Sequence, residues 1–256
     1  MDIDIIPCLS DNYSYLIKDN QTNTVAIIDP SEFDSCDKKI DQKYKKLDFI
    51  LNTHHHFDHI GGNEELKKKY GSKVLGFEKD KKRIPSIDIL LKDGQEFTIG
   101  NLKFKTILIP GHTLGHIAFY LEKEKVIFTG DTLFSLGCGR IFEGTYQQMF
   151  SSLNKIKNLP GDTKIYCGHE YTKNNLEFCL KFDPNNNCLK DKVKVIETKI
   201  KDRVPTIPST IKDEIQTNIF LRYDDLNVKG ALNLKNASDL EIFTKLRDLK
   251  DNFWAL

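Results

Sequence analysis

THHHFDH, residues 53–59, follows directly on the apolar run LDFILN and holds four of the seven histidines of the chain. An apolar strand that ends in a cluster of ring nitrogens and a carboxylate delivers ligands to a loop. The spacing His54-x-His56-x-Asp58-His59 lets one tight loop present His54 and His56 to one metal ion. Asp58 and His59 then face a neighbouring ion.

The same pattern recurs outward from this stretch. His112 follows ILIPG, Asp131 ends VIFTGD, and His169 follows IYCG. An open α/β scaffold collects ligands in the loops at one end of its strands, so donors far apart in sequence can converge there. The expected set is His54, His56, Asp58, His59, His112, Asp131 and His169. His112 would complete the first site and His169 the second, with Asp131 bridging both through its two oxygens. A lone histidine is more often a core or surface residue than a ligand, but a cluster joined by three further strand-end donors is not read that way. His55, between two ligands, is expected to stand outside the set. His116, in GHTLGH, is expected to support the ligands by hydrogen bonding. Asp29 and Thr53 are read as supporting or turn residues. Such donors suit zinc, iron or manganese, with zinc expected first.

Residues up to about 170 alternate strand-like runs with turns: 24–29, 47–53, 73–77, 102–110, 117–122, 125–131 and 164–169, rich in Val, Ile and Phe. Helices are expected at Asn63–Tyr70 and Tyr146–Asn158. From about Lys173 the periodicity becomes helical in NNLEFCLKF and LKDKVKVIETKIKDR. VPTIPST reads as a proline-punctuated connection. The last helix starts at Ser238, with Glu241 as its capping-box partner. The organisation expected is an α/β domain over 1–172 and a small helical domain over 173–256.

The 256 residues carry 38 Lys plus Arg against 37 Asp plus Glu, a net charge of +1. That balance provides no global field for nucleic acid or an anionic membrane. No apolar run approaches the roughly 20 residues of a membrane span. The first ten residues hold Asp2 and Asp4 and no Lys or Arg, unlike a signal or transit peptide. The six cysteines form no CxxC pair and suit a reducing compartment. A cytoplasmic protein is expected.

THHHFDH, GHTLGH, TGDTLF and CGHEYT together resemble the signature of the metallo-β-lactamase superfamily. The stretches GDTLFSLGCGRIFEGT (130–145), YCGHEYTKNNLEF (166–178) and VPTIPSTIKDEIQTNIFLR (204–222), with RDLK in the last helix, are similar to the glyoxalase II family within it. The resemblance runs from Asp11 to the last helix. It implies an αββα sandwich followed by a small C-terminal α-helical domain. It also implies two divalent metal ions per chain, and a metal-bridging hydroxide held by Asp58 and Asp131.

The substrate so implied is an S-2-hydroxyacylglutathione thioester such as S-D-lactoylglutathione, hydrolysed to glutathione and a 2-hydroxy acid in methylglyoxal detoxification. The substrate contacts it implies are Arg140, Ile141, Phe142, His169, Tyr171, Arg247 and Lys250. Arg140 stands where the usual eukaryotic members have Lys. Phe142 stands where they have Tyr, so one hydroxyl is missing. Read without the resemblance, Arg247 and Lys250 are a solvated helix face. The other readings are a glutathione persulfide dioxygenase with one iron and a nucleic-acid-processing hydrolase of the same fold. The expected partner is a small glutathione thioester, with no nucleic acid and no membrane, and the chain is expected to be a monomer.

Overall fold

The computed structural model describes residues 1–253; residues 254–256, the end of the expected helical domain, lie outside the described residues. Two compact units emerge: Met1–Leu108 with Gly115–Gly130, and Ile109–Leu114 with the chain from Asp131 onward.

In the first unit, β1 (Asp2–Cys8), β2 (Asn12–Lys18) and β3 (Val25–Ile28) run antiparallel. Helix α1 (Phe33–Lys43) then crosses over to β4 (Phe49–Leu51), which is parallel to β3. A short α2 (Phe57–Ile60) and α3 (Asn63–Tyr70) lead to β5 (Lys73–Phe77) and β6 (Ile89–Leu91), which extend the parallel set. Parallel neighbours cannot be joined by a hairpin and need such crossovers.

Leu16, Ile27, Ile50 and Val74 are successive cross-strand partners, and they share a core with Cys36 and Ile40 of α1 and Leu66 of α3. Full burial of each such aliphatic side chain contributes about 1.5–3 kcal/mol. Strand side chains alternate between faces, so Tyr15 points the other way, and its ring meets Phe128 at 5.2 Å. Phe128 belongs to the second layer, an antiparallel run of β7 (Glu96–Ile99), β8 (Leu102–Leu108), β9 (Ile117–Leu121) and β10 (Val126–Gly130). Helices, first sheet and second sheet thus stack in order.

In the second unit, β11 (Leu133–Phe134) and β12 (Gly137–Cys138) form a tight antiparallel pair. Helix α4 (Tyr146–Lys157) is followed by β13 (Lys164–Cys167), which pairs with β14 (Ser209–Thr210). The proline-punctuated connection therefore supplies a short strand. The helices α5 (Thr172–Phe182), α6 (Asn187–Lys201), α7 (Ile211–Thr217), α8 (Leu226–Ala231) and α9 (Asp239–Asp251) complete the unit. Phe178 stacks on Phe220 at 5.8 Å, and Phe243 meets Phe220 at 6.3 Å. The expected capping box of Ser238 and Glu241 is formed at the start of α9, and Thr145 with Gln148 forms another at α4. No helix among the described residues is long and apolar enough to cross a membrane.

Candidate metal centre

Parallel pairing of Ile28 with Leu51 brings the ends of β3 and β4 side by side. Asp29 and Thr53 therefore meet. The Asp29 carboxylate accepts from the Thr53 backbone N–H at 2.7 Å and from the Thr53 hydroxyl at 2.6 Å. It also stands 3.0 Å from Nδ1 of His59. The Thr53 hydroxyl oxygen in turn lies 3.0 Å from Nδ1 of His54. Asp29, His54 and His59 place ligand-type atoms within 4.8 Å of one another. The Asp29 oxygens are already engaged by these contacts, so Asp29 supports the two imidazoles and is not itself taken as a metal donor. With Nδ1 engaged inward, Nε2 of His54 and of His59 are the nitrogens left for a metal.

Those outward atoms converge. Nε2 of His54 is 3.1 Å from Nδ1 of His56, and Nε2 of His59 is 3.6 Å from Oδ2 of Asp58. Two donors bound at 2.0–2.1 Å to one tetrahedral ion stand roughly 3.3 Å apart. The donor set thus fits divalent metal in spacing and in chemistry. The Asn12 side-chain amide fixes Asp58, donating to its Oδ2 at 2.9 Å and to its backbone oxygen at 3.1 Å.

His55 turns elsewhere. Its Nε2 lies 3.2 Å from the Arg83 guanidinium and its Nδ1 is 3.6 Å from Asp80. Burial works to raise the Asp80 carboxyl pKa, but hydrogen bonding with His55 and Arg83 outweighs it and holds the group below its ordinary value. His116 is fully buried and stacks on His54 with ring centroids 4.6 Å apart. At the end of β10 the space is equally tight. Gly130 has φ +46°, and a Cβ there would stand 2.5 Å from the Thr53 hydroxyl and 2.8 Å from the His116 ring.

The second unit carries the other donors. Oδ2 of Asp131 is 3.5 Å from Nε2 of His112 and 3.2 Å from Nε2 of His169. The same carboxylate oxygen of Asp131 stands near both imidazoles. The His112 Nδ1–H donates to the carbonyl of Arg140 at 2.7 Å. Backbone N–H groups of Phe142 and Glu143 donate to the His112 carbonyl at 3.2 and 3.3 Å. The loop 140–143 thus clasps His112 by ring and by backbone. Gly139 permits this approach, because a Cβ there would lie 1.9 Å from the Asp131 carbonyl oxygen.

The remaining sequence-named residues surround this cluster or lie on the last helix. Tyr171 stacks on His169 at 4.7 Å, and the exposed Phe142 ring meets His112 edge-on at 5.2 Å. Ile141 is half-buried. Arg247 is only 4% exposed and Lys250 is half-buried, so the pair is not a solvated helix face. Its Nη1 donates to the Cys138 carbonyl at 2.7 Å and its Nη2 to Asp251 at 2.9 Å, while Nε has no partner among the described residues. Lys250 donates to the backbone and side-chain oxygens of Asn174 and lies over the Phe178 ring at 5.4 Å. Burial, with the like charge of Arg247 beside it, pushes the Lys250 ammonium down to about 8.

Asn12, Asp80 and Asp251 escape a sequence reading. Their types are common on surfaces, and only the fold reveals what they hold. The turn over residues 9–11, immediately before Asn12 opens β2, is the one local hint for it.

The family model described as Metallo-beta-lactamase superfamily matches residues 10–169, and that described as Hydroxyacylglutathione hydrolase C-terminus matches residues 170–253. Fold and donors define a metal-dependent hydrolase of that superfamily. Hydroxyacylglutathione hydrolase from Pelagibacter ubique (strain HTCC1062) is 56% identical, with 99% of this chain and 100% of the relative covered. The Brucella ovis enzyme of the same name is 47% identical, covering 99% and 98%. The chain belongs to the hydroxyacylglutathione hydrolase family, known also as glyoxalase II. The solved structure of ETHE1 from Myxococcus xanthus shares the fold alone, at 23% identity and TM-score 0.70, covering 97% of this chain and 90% of that one.

Proposed function

We propose that the chain hydrolyses S-2-hydroxyacylglutathione thioesters, such as S-D-lactoylglutathione, to glutathione and a 2-hydroxy acid, the second step of methylglyoxal detoxification. The full-length likeness to hydroxyacylglutathione hydrolases carries the substrate, and the donor geometry around Asp131 supports the chemistry. His54, His56 and His112 would hold one divalent ion, and Asp58, His59 and His169 a second, with Asp131 shared. Zinc is the first choice, and iron or manganese fits the same donors. Such ions, when bound, supply Lewis acidity and bring the pKa of water from about 15.7 toward neutrality.

The protein's own groups do the rest. Asp58, held by Asn12, and Asp131 accept hydrogen bonds from the attacking water and orient it toward the thioester carbonyl carbon. Asp29 and Thr53 keep His54 and His59 in one ring orientation. Tyr171, packed on His169, and the 140–142 loop line the acyl and thiol end. Arg140, Arg247 and Lys250 supply cations for the glutathione carboxylates, a local charge in a chain of net charge +1. In functional terms, residues 1–172 carry the chemistry and 173–256 bind glutathione. The enzyme is read as a cytoplasmic monomer that needs no membrane or nucleic acid. The C-terminal match does not favour the dioxygenase or the nucleic-acid hydrolase.

The test is to supply purified, metal-loaded protein with S-D-lactoylglutathione and, separately, with glutathione persulfide. Loss of thioester absorbance without oxygen uptake is the expected result. Oxygen uptake with the persulfide and no thioester loss would contradict the reading.

A further inference from the structure

The last helix reaches His112 through one residue. Oδ1 of Asp251 accepts from Nη2 of Arg247 at 2.9 Å and from Nε of Arg140 at 3.1 Å. The Asp251 backbone oxygen accepts from Nη2 of Arg140 at 2.9 Å. Arg140 is therefore gripped twice by the end of α9, while its own carbonyl fixes the ring of His112. Two further contacts tie the same stretch to α9. Arg247 donates to the Cys138 carbonyl, and the Tyr146 hydroxyl donates to Asp248.

Without the carboxylate, the guanidinium groups of Arg140 and Arg247 would face each other as like charges. The Arg140 side chain is 52% exposed, and without the carboxylate only the Asp251 backbone oxygen, among the described residues, would still hold it. An isolated surface ion pair contributes about 0–1 kcal/mol. A carboxylate shared by two guanidinium groups, one of them buried, is a stronger and more directional anchor.

We propose that Asp251 is a positioning residue: it holds Arg140, and through Arg140 the 140–143 loop that clasps His112, in the geometry that receives the substrate. It need not touch substrate itself. The inference rests on the proposed thioester-hydrolase reading for its kinetic consequence, but not for its structural one.

The experiment uses the full-length, metal-loaded enzyme as wild type, Asp251→Ala, Asp251→Asn and Asp251→Glu. Trypsin cleavage of the Arg140–Ile141 bond is followed by mass spectrometry, beside the thermal midpoint and the KM and kcat for S-D-lactoylglutathione. Cleavage at Arg140 should quicken roughly tenfold in Asp251→Ala, the scale of one charge-assisted hydrogen bond, while cleavage away from Arg140 and Arg247, the two partners of Asp251, stays unchanged. KM should rise by a similar factor with a smaller change in kcat, and Asp251→Glu should recover part of both. If Asp251→Ala does not fold, Asp251→Asn keeps the shape and loses the charge, and the same cleavage comparison applies. Unchanged cleavage at Arg140 and unchanged KM in a folded variant would overturn the proposal. So would faster cleavage at every site with a lowered midpoint. A wild type that leaves the thioester intact would count against the proposed function alone, and the cleavage pattern would still decide the role of Asp251.

Discussion

Oδ2 of Asp29 accepts the Nδ1–H of His59 at 3.0 Å, with both side chains buried. A carboxylate can only accept there, so the bond fixes the proton on Nδ1 and leaves the Nε2 lone pair outward. Asp29 itself is held by Thr53. Asp29→Ala should weaken metal binding about 10–100-fold, the usual cost of losing such a support. Competition with a chromophoric chelator checks this, and unchanged affinity would remove Asp29 from the account.

The three consecutive histidines separate by direction. His56 faces His54 at 3.1 Å, and His55 faces Arg83 and Asp80. His55→Ala should keep substantial hydrolysis, while His56→Ala should lose most of it together with metal. Circular dichroism on both variants controls for folding. Equal collapse of activity in two folded variants would mean that the register is wrong.

Lys250 should give substrate binding a pH dependence. Its ammonium is pushed down to about 8, so its charge fades as pH rises through that value, and an anionic substrate then loses a partner. KM for S-D-lactoylglutathione should rise between about pH 7.5 and 9, and Lys250→Arg, which does not titrate there, should flatten the profile. Stability follows the opposite sign. Above about pH 8 the folded chain has released a proton that the unfolded chain still binds up to about 10.4, so this group contributes more stability as pH rises across that window. A KM profile identical in wild type and Lys250→Arg would assign the pH effect to another group.

Gly130 should resist substitution. Its positive φ and the proximity of Thr53 and His116 leave no room for a methyl group. Gly130→Ala should cost about 1–3 kcal/mol of stability, measured by denaturant unfolding. A change under about 0.5 kcal/mol would show that the strand end relaxes freely.

The strands that end in the candidate donors were legible because their chemistry is written at their ends. The apolar runs before His54, His112 and His169 and through Asp131 are short, β-branched and stopped by polar residues. By contrast, β1, β2 and α1 gave little signal. In β2 the buried positions include Asn12 and Ser14, whose polarity hides a core strand until their hydrogen-bond partners are known. In α1 only Cys36 and Ile40 are buried, too few to set a helical period. The supporting residues were least legible. Asp80 and Asp251 act through Arg83, Arg140 and Arg247, and no local spacing announces a pairing such as Arg140 with Asp251.

Thioester hydrolysis by this chain should depend on the donor set around Asp131 and on the divalent ions it would hold. The most direct measurement determines metal content and S-D-lactoylglutathione hydrolysis on the same samples of wild type and Asp131→Ala. Wild type should hold about two ions per chain and hydrolyse the thioester, and Asp131→Ala should lose tight binding of both ions and the activity with them. Full hydrolysis by a chelated, metal-free sample, or by a folded Asp131→Ala variant, would contradict the account.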